Sequence, residues 1–359
     1  MMKVLKTLAL VLALLLTLSA CGVIRGNDGS TEPVGGSAPA EEADGQTAQA
    51  PLDTSADEMH EEFPLLIGAL KGPTAMGMVK MMEWKSVLAS VGVWYFQLAG
   101  SADELTPKLI KGELDIICVP ANLAAVLYNK TEGQIVTLAV NTLGVLYVME
   151  NGGESVQSMA DLKGKTLVAA GKGSTPEFSL RYLLEQNGLD LDKDVTVEWK
   201  SEHAECVAAL AAGTADLALL PQPFVTVAQG KLENLRVALD LTAEWDALDN
   251  GSAMITGVAV ARRDYVEKNP ELIEEFLTEY AKSVEWVNEN VAEAAELVVQ
   301  NGIVESSAVA EKALPQCNIV CLTGQEMFEK LSGYLQVLAQ ANPESVGGEL
   351  PRDDFFYGI

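Results

Sequence analysis

The sequence has few of the side chains that carry out most enzyme chemistry. Two of its 359 residues are histidine, five are cysteine, and aromatic residues make up 6% of the chain. It contains no G-x-S-x-G elbow, no Walker loop, no Rossmann glycine fingerprint and no EF-hand loop. We therefore expect no catalytic residues, no bound metal and no cofactor.

Basic residues are also scarce. Lys and Arg total 24 against 51 Asp and Glu, which gives a formal charge of −27. A phosphate backbone is bound by Lys and Arg and repelled by a strongly negative surface, so we expect no nucleic acid and no anionic membrane surface as partners. A small anionic ligand is still allowed, because a few backbone amides can bind one whatever the net charge.

The first residues form a targeting segment. Lys3 and Lys6 precede an apolar run from Leu8 to Leu18, and Leu-Ser-Ala-Cys then ends at Cys21. This order resembles a bacterial lipoprotein signal, which implies cleavage after residue 20 and a lipid on the thiol of Cys21 that anchors the chain to a membrane. The alternative is a transmembrane anchor, because the 18 uncharged residues Thr7 to Ile24 reach the spanning threshold.

An acidic linker follows the signal. Residues 22–62 contain ten acidic residues and one Arg among Gly, Ser, Thr, Pro and Ala, and this composition cannot build a core. We expect residues 1–20 to be a signal peptide and 21–62 to be the lipidated cysteine and a disordered linker. The 297 residues from Phe63 onward are enough for two α/β domains.

Beyond the linker, short β-rich runs alternate with helical patterns, an order typical of βα units with a parallel sheet. The predicted strands are Leu65 to Leu70, Trp94 to Leu98, Asp115 to Val119, Ile135 to Val140, Leu146 to Met149, Thr166 to Ala170, Val195 to Trp199, Asp216 to Leu220, Leu235 to Leu239 and Val258 to Ala261. The predicted helices are Thr74 to Val91, Glu177 to Asn187, Ala204 to Ala212 and Glu271 to Gln300.

Two motifs recur with the same spacing. Lys71-Gly72-Pro73-Thr74 is repeated as Lys172-Gly173-Ser174-Thr175, an offset of 101 residues. Gly112-x-x-Asp115-x-x-x-x-Pro120 is repeated at the same offset as Gly213-x-x-Asp216-x-x-x-x-Pro221. The shared spacing predicts two halves with one plan, in which a strand, a glycine loop and a helix are followed by a turn, a second strand and a proline.

The glycine loops follow strands, and ligands of open α/β sheets bind outside the carboxyl ends of strands, near helix N-termini. Gly72 and Gly173 would let the backbone approach a ligand closely. Thr74, Ser174 and Thr175 would either cap the following helices or direct a hydroxyl outward.

These features together resemble the bacterial ABC-transporter substrate-binding proteins. The segments Asp115-Ile-Ile-Cys-Val-Pro-Ala-Asn122 and Asp216-Leu-Ala-Leu-Leu-Pro-Gln-Pro223 are similar to the type II periplasmic-binding fold of nitrate, sulfonate and thiamine-precursor receptors. The resemblance implies an α/β fold of two lobes, each a mostly parallel sheet flanked by helices, joined by two crossing segments near 141–147 and 254–258. Lobe one would be 63–145 plus 257–359, and lobe two 146–256.

The same resemblance implies a function. The protein would be an extracytoplasmic, lipid-anchored monomer that binds a small polar molecule between its lobes and delivers it to a membrane permease with a cytoplasmic ATPase. Closure of the lobes would bury the solute. The residues expected to bind the ligand are Lys71, Gly72, Pro73, Thr74, Pro120, Ala121, Asn122, the hinge residue Asn141, Gly173, Ser174, Thr175, Gln222 and Pro223.

Several of these residues have a second interpretation. Asn122 and Gln222 would either contact the ligand or cap their helices, and the two loop lysines would either pair with an anion or be solvated. Trp245 and Thr256 are weaker candidates. Aromatic residues near the motifs are more often part of the core than stacked on a ligand; they are Trp94, Phe178, Phe224 and Trp245.

Two other functions are compatible with the same fold. An enzyme on the same fold, of the pyrimidine-precursor synthase or dehydratase type, would have to use His203, the single histidine outside the linker. His203-Ala-Glu-Cys206 matches the start of a zinc deaminase signature but lacks P-C-x-x-C, so we interpret it as a helix start. A sensor partner cannot be separated from a transport receptor by sequence. Cys317 and Cys321 would form a disulfide or remain free thiols.

Overall fold

The computed structural model describes residues 64–87 and 94–359. The predicted signal peptide, Cys21 and the linker lie outside the described residues. Eleven strands alternate with helices along this part of the chain; they are β1 Leu65–Leu70, β2 Trp94–Ala99, β3 Ile116–Pro120, β4 Ile135–Leu143, β5 Leu146–Asn151, β6 Thr166–Ala170, β7 Thr196–Lys200, β8 Leu217–Pro221, β9 Leu235–Asp240, β10 Ile255–Arg262 and β11 Ile319–Leu322.

The helices flank the strands on both faces of two sheets. They are α1 Pro73–Met76, α2 Val79–Val87, α3 Ala102–Lys111, α4 Ala121–Lys130, α5 Thr175–Gln186, α6 His203–Ala211, α7 Phe224–Lys231, α8 Leu241–Asp246, α9 Arg263–Lys268, α10 Pro270–Glu289, α11 Val291–Gln300, α12 Ser307–Ala313 and α13 Gly324–Ala341. Short 3₁₀ turns cover Met159–Leu162, Leu314–Gln316, Pro343–Val346 and Asp353–Phe355.

The two sheets have the same internal order. The first is β11-β4-β10-β3-β1-β2, and the second is β7-β6-β8-β5-β9. In the first sheet β10 runs antiparallel to both β3 and β4, and in the second β5 runs antiparallel to both β8 and β9. The other strands of the shared pattern point one way, which confirms two lobes with mostly parallel sheets.

The strand order confirms the internal repeat. β1, β2, β3 and β4 of the first sheet correspond to β6, β7, β8 and β9 of the second. Gly112 follows α3 at φ +76° and Gly213 follows α6 at φ +65°, so both helices end in a left-handed glycine. Pro120 and Pro221 are the last residues of β3 and β8.

Two predicted helices are interrupted. The helix predicted from Thr74 stops at Met76 and α2 starts at Val79; a Cβ on the intervening Gly77 would lie 2.8 Å from Ile319, so this turn packs closely against β11. The helix predicted from Glu271 to Gln300 is two helices, because Asn290 leaves the helical region and its amide donates to the Trp286 carbonyl at 2.9 Å.

The two lobes are connected by an apolar core to which both contribute side chains. Trp245 in α8 is fully buried, with Tyr182 of α5 at 4.8 Å and Tyr334 of α13 at 5.3 Å between ring centroids. α13 follows β11 of the first sheet, yet it packs on α5, which follows β6 of the second. The C-terminal helix therefore joins the two lobes.

Candidate ligand-binding cleft

A cavity of about 580 Å³ opens between the two sheets. It is lined by the loops that follow β1, β2 and β3 in the first lobe and β6, β7 and β8 in the second. These loops lie at the carboxyl ends of parallel strands, where ligands of open α/β sheets bind. The cavity volume falls within the range of about 300–1,000 Å³ that is typical of small-molecule sites.

Most of the residues expected from the sequence to bind a ligand lie in this cavity. Those that line it are Lys71, Gly72, Pro73, Thr74, Pro120, Gly173, Ser174, Thr175, Gln222 and Pro223, together with the weaker candidate Thr256. The two copies of the repeated glycine loop therefore border one space, one copy from each lobe.

The loop lysines have no partner among the described residues. Neither Lys71 nor Lys172 forms an ion pair or side-chain hydrogen bond with any described residue, and both are exposed where the loops border the cavity. Lys200, the third lysine on the cavity, is 3.1 Å from the Glu198 carboxylate. Two ammonium groups without a partner in the described part of the chain place positive charge at the border of the cavity, in a chain of charge −27.

The hydroxyl groups of the loops are used differently. Thr74 donates to the Leu70 carbonyl at 2.9 Å, which fixes the turn after β1. Ser174 is the N-cap of α5, but its side chain makes no capping hydrogen bond. Thr175 donates to Asn122 of the other lobe. Of the second-lobe loop residues predicted to bind the ligand, Ser174 is therefore the one whose hydroxyl has no hydrogen-bond partner among the described residues.

Asn122 and Gln222, which the sequence left as ligand contacts or helix caps, each hold the lobes together. Asn122 is 1% exposed and does not line the cavity; it accepts from Thr175 at 3.2 Å and donates to the Ser345 carbonyl at 3.0 Å. Gln222 lines the cavity and donates to Gln316 of the first lobe at 2.9 Å. The Asn122 side chain does not cap α4, whereas the Gln222 side-chain oxygen caps the first turn of α7, where it accepts from the Thr226 amide at 3.4 Å and from the Thr226 hydroxyl at 2.9 Å.

Two further expected residues are placed away from the cavity. Asn141 is fully buried in β4, where its side-chain oxygen accepts from the Thr142 hydroxyl at 3.0 Å. Its amide nitrogen has no hydrogen-bond partner among the described residues. Ala121, the first residue of α4, is also fully buried. Thr142, which adjoins Asn141, lines the cavity instead.

Of the four aromatic candidates, Phe224 alone lines the cavity. Trp94 is buried and packs against Phe276, and Trp245 is enclosed in the shared core, where its indole donates to Ser252 at 3.1 Å. Phe178 packs on the same core. The expectation that most of these rings belong to the core is confirmed.

His203 was not among the residues expected to bind the ligand. It begins α6, as expected, but it also lines the cavity, and its ring centroid lies 5.3 Å from that of Phe224. Burial lowers the pKa of His203 to about 4, so the imidazole is neutral at pH 7. The repeat contained a signal for it, because the loop after β7 corresponds to the loop after β2, which reaches the same cavity.

The cysteines of the described part of the chain are free thiols that lie outside the cavity lining. Burial raises the pKa of Cys118 to about 12 and that of Cys206 to about 11, which keeps both thiols protonated. Cys317 and Cys321 are free thiols. Within residues 64–87 and 94–359, no cluster of three or more His, Cys, Asp or Glu residues could hold a metal ion.

A two-lobed fold with a cleft between matched loops is the architecture of periplasmic solute-binding proteins. A family model described as the periplasmic substrate-binding protein of a phosphonate ABC transporter matches residues 95–311, and the chain belongs to this family. It is therefore the periplasmic substrate-binding component of an ABC importer and works outside the cytoplasm. A search of curated proteins found no match.

Solved structures agree with this assignment. An ABC transporter protein from Parabacteroides distasonis is 25% identical, with a TM-score of 0.68 over 81% of this chain and 98% of that chain. The aliphatic sulphonate-binding protein SsuA from Escherichia coli is 17% identical, with a TM-score of 0.66 over 82% and 93%. The nitrate-binding protein NrtA from Synechocystis is 15% identical, with a TM-score of 0.52 over 67% and 66%. No helix in the described part of the chain could span a membrane.

Proposed function

We propose that this protein is a lipid-anchored receptor that binds a small organic anion between its lobes and delivers it to an ABC permease. The lobes are taken as 63–145 plus 257–359 and 146–256. The lipid would be attached to Cys21. The anion would be of the oxyacid class, as the family description and the sulphonate-binding name of one structural neighbour suggest.

The observation that carries this proposal is the pair of unpartnered lysines. Lys71 and Lys172 occupy equivalent positions in the repeat, one in each lobe, and both border the cavity. Asp103 and Glu202 also line the cavity, so its charged side chains are three lysines against two carboxylates, a local excess of positive charge in a chain of net charge −27. An anion between the lysines would gain Coulomb energy from both lobes at once.

The arrangement also explains how binding would close the cleft. A ligand in contact with both lobes binds the closed form more tightly than the open form, and this difference drives closure. α5 begins at Thr175 beside the cavity, so the positive end of its dipole lies near the anion, offset in part by the Glu177 carboxylate that accepts from the Gly173 amide at 2.7 Å. The closed surface would then be recognised by the permease.

The test uses methanesulfonate and methylphosphonate as the simplest probes. We expect at least one to raise the melting temperature, since a ligand at 100-fold excess over its Kd stabilises a protein by about 2.7 kcal/mol. Lys71→Gln and Lys172→Gln should each weaken binding about tenfold in calorimetry, the equivalent of about 1.4 kcal/mol. The matched control is Lys111→Gln, an exposed lysine at the end of α3. Equal affinity of all three variants would contradict the proposal.

The lipid anchor has its own test. Wild-type chain expressed in its own cell type should fractionate with membranes and show a diacylglycerol mass on its N-terminal peptide. Cys21→Ser should show no lipid mass on this peptide, because the acylated thiol is lost. Cys206→Ser is the control, because that thiol is buried in α6. A wild-type N-terminal peptide that carries no lipid mass would contradict the anchor.

A further inference from the structure

The cavity is larger than the head group of an oxyacid. Its volume of about 580 Å³ far exceeds what a sulfate-sized group fills. Part of its lining is apolar, with Leu70, Leu123, Leu146 and Ile303 among the contributing side chains. Apolar lining holds a ligand by removing its apolar surface from water, so the ligand needs an organic substituent to use this part of the site.

Two aromatic rings lie together on the wall of the second lobe. Among the described residues that line the cavity, His203 and Phe224 are the two with aromatic rings. Their centroids are 5.3 Å apart with the planes inclined by 41°, so they form one continuous ring surface. They begin α6 and α7, after β7 and β8, whereas Lys71 and Lys172 follow β1 and β6. Head group and substituent would thus contact different loops.

His203 adds polarity to this surface without adding charge. The neutral imidazole does not pair with the anionic head group, which is left to the lysines. Its Nδ1 atom is buried and has no hydrogen-bond partner among the described residues. A neutral imidazole has one donor and one acceptor nitrogen, and a buried polar atom without a partner destabilises the protein until a ligand or water satisfies it.

We propose that His203 and Phe224 form the subsite that selects the substituent of the ligand, and that this substituent is a planar ring carrying a hydrogen-bonding atom. The inference rests on the proposed function, because it assumes that an acidic head group binds between the lysines. His203 is then a specificity-determining residue that contacts the ligand, and Phe224 provides the stacking surface beside it.

Four sulfonates with one head group separate the contributions. Methanesulfonate has no ring, benzenesulfonate has a plain ring, pyridine-3-sulfonate has a ring acceptor, and 3-aminobenzenesulfonate has a ring donor. Calorimetry on the wild-type protein should give benzenesulfonate at least tenfold tighter binding than methanesulfonate. One of the two polar rings should bind at least threefold tighter than benzenesulfonate, and which one it is reports the imidazole tautomer.

Two variants assign these preferences to residues. Phe224→Leu removes the stacking ring and should reduce the preference for benzenesulfonate over methanesulfonate to about threefold or less. His203→Phe retains a ring but removes the nitrogens, so it should abolish the preference for a polar ring and keep the preference for a plain one. The matched control is Phe178→Leu, a half-buried ring of the same lobe that does not line the cavity.

A measurement on the unaltered protein does not depend on how the variants fold. The chain has two histidines, so NMR of the imidazole groups gives two sets of signals, and His60→Gln identifies those of His203. The His203 signals should shift more when benzenesulfonate is added than when methanesulfonate is added, because only the ring ligand contacts the imidazole directly.

The possible outcomes distinguish the two proposals. Equal binding of methanesulfonate and the ring sulfonates, or His203 signals that ignore the ring sulfonates, would overturn the ring subsite and leave the anion receptor standing. A ring preference that survives in Phe224→Leu, or a preference for a polar ring that survives in His203→Phe, would also overturn it. Binding of neither methylphosphonate nor any of the four sulfonates would overturn the anion receptor, and the ring subsite with it.

Discussion

The hydroxyl of Thr175 donates a hydrogen bond to the side-chain oxygen of Asn122 at 3.2 Å, and this bond joins the two lobes. Asn122 is itself held by the carbonyl of Ser345, to which its amide donates at 3.0 Å. Thr175 is fully buried, so water does not replace Asn122 as a partner. The bond can therefore form only while the two lobes are close together at this point.

Thr175→Val removes this donor while preserving the shape of the side chain. We expect the free energy of unfolding to fall by about 1–2 kcal/mol, because the oxygen of Asn122 loses a buried partner. The radius of gyration of the ligand-free protein should also rise in small-angle scattering. Thr106→Val is the control, since the Thr106 hydroxyl bonds within α3 to the Ala102 carbonyl. Identical scattering of the two variants would contradict a role in holding the lobes.

A second contact between the lobes is predicted to be energetically coupled. The hydroxyls of Ser179 and Tyr334 are 3.1 Å apart, and both residues are fully buried. Ser179→Ala and Tyr334→Phe should each destabilise the protein, but the double variant should lose about 1 kcal/mol less than the sum, because the bond can be lost only once. Urea unfolding of the four proteins measures this coupling. Strict additivity would show that the hydroxyls contribute independently.

The two loop glycines should differ in their tolerance of alanine. Gly72 has φ +131° and ψ −156°, a region that only glycine adopts readily, whereas Gly173 lies at φ +73° in the left-handed region. A Cβ would meet no atom within 4 Å at either position, so the cost is backbone strain alone. We expect Gly72→Ala to cost about 2–3 kcal/mol and Gly173→Ala about 1 kcal/mol in urea unfolding. A larger loss for Gly173→Ala would contradict this.

Repeated spacing predicted the framework of the cleft. The offset of 101 residues paired Gly112 with Gly213 and Pro120 with Pro221. The two glycines follow α3 and α6, and the two prolines end β3 and β8. Strands and the loops after them are determined by local residue patterns and short-range turns, and both can be identified from the sequence alone. The prediction that both glycine loops meet at one space followed from that framework, and the structure confirms that they border one cavity.

The hydrogen-bond partners of individual side chains could not be predicted in the same way. Asn122 reaches Ser345, 223 residues away, and Gln222 reaches Gln316, 94 residues away. Both partners lie in the chain after β10, a part that has no counterpart in the repeat. β11 was missed for a related reason, because four residues with one strand partner give only a weak pattern.

Acidification should destabilise the protein through His203. Burial lowers the pKa of His203 to about 4 in the folded protein, whereas an unfolded histidine titrates near 6.5. Between these values the unfolded chain binds the additional proton, so the free energy of unfolding falls as the pH decreases from 6.5 to 4, by about 3 kcal/mol at most. Carboxylates titrate in the same range, and His203→Gln separates the two effects: between pH 7 and 4 it should lose less stability than the wild type, whereas His60→Gln should follow the wild type. Parallel curves for His203→Gln and the wild type would show that the imidazole accepts a proton in the folded protein, and hence that it is more accessible to water or to a charged partner than its position in the cleft indicates.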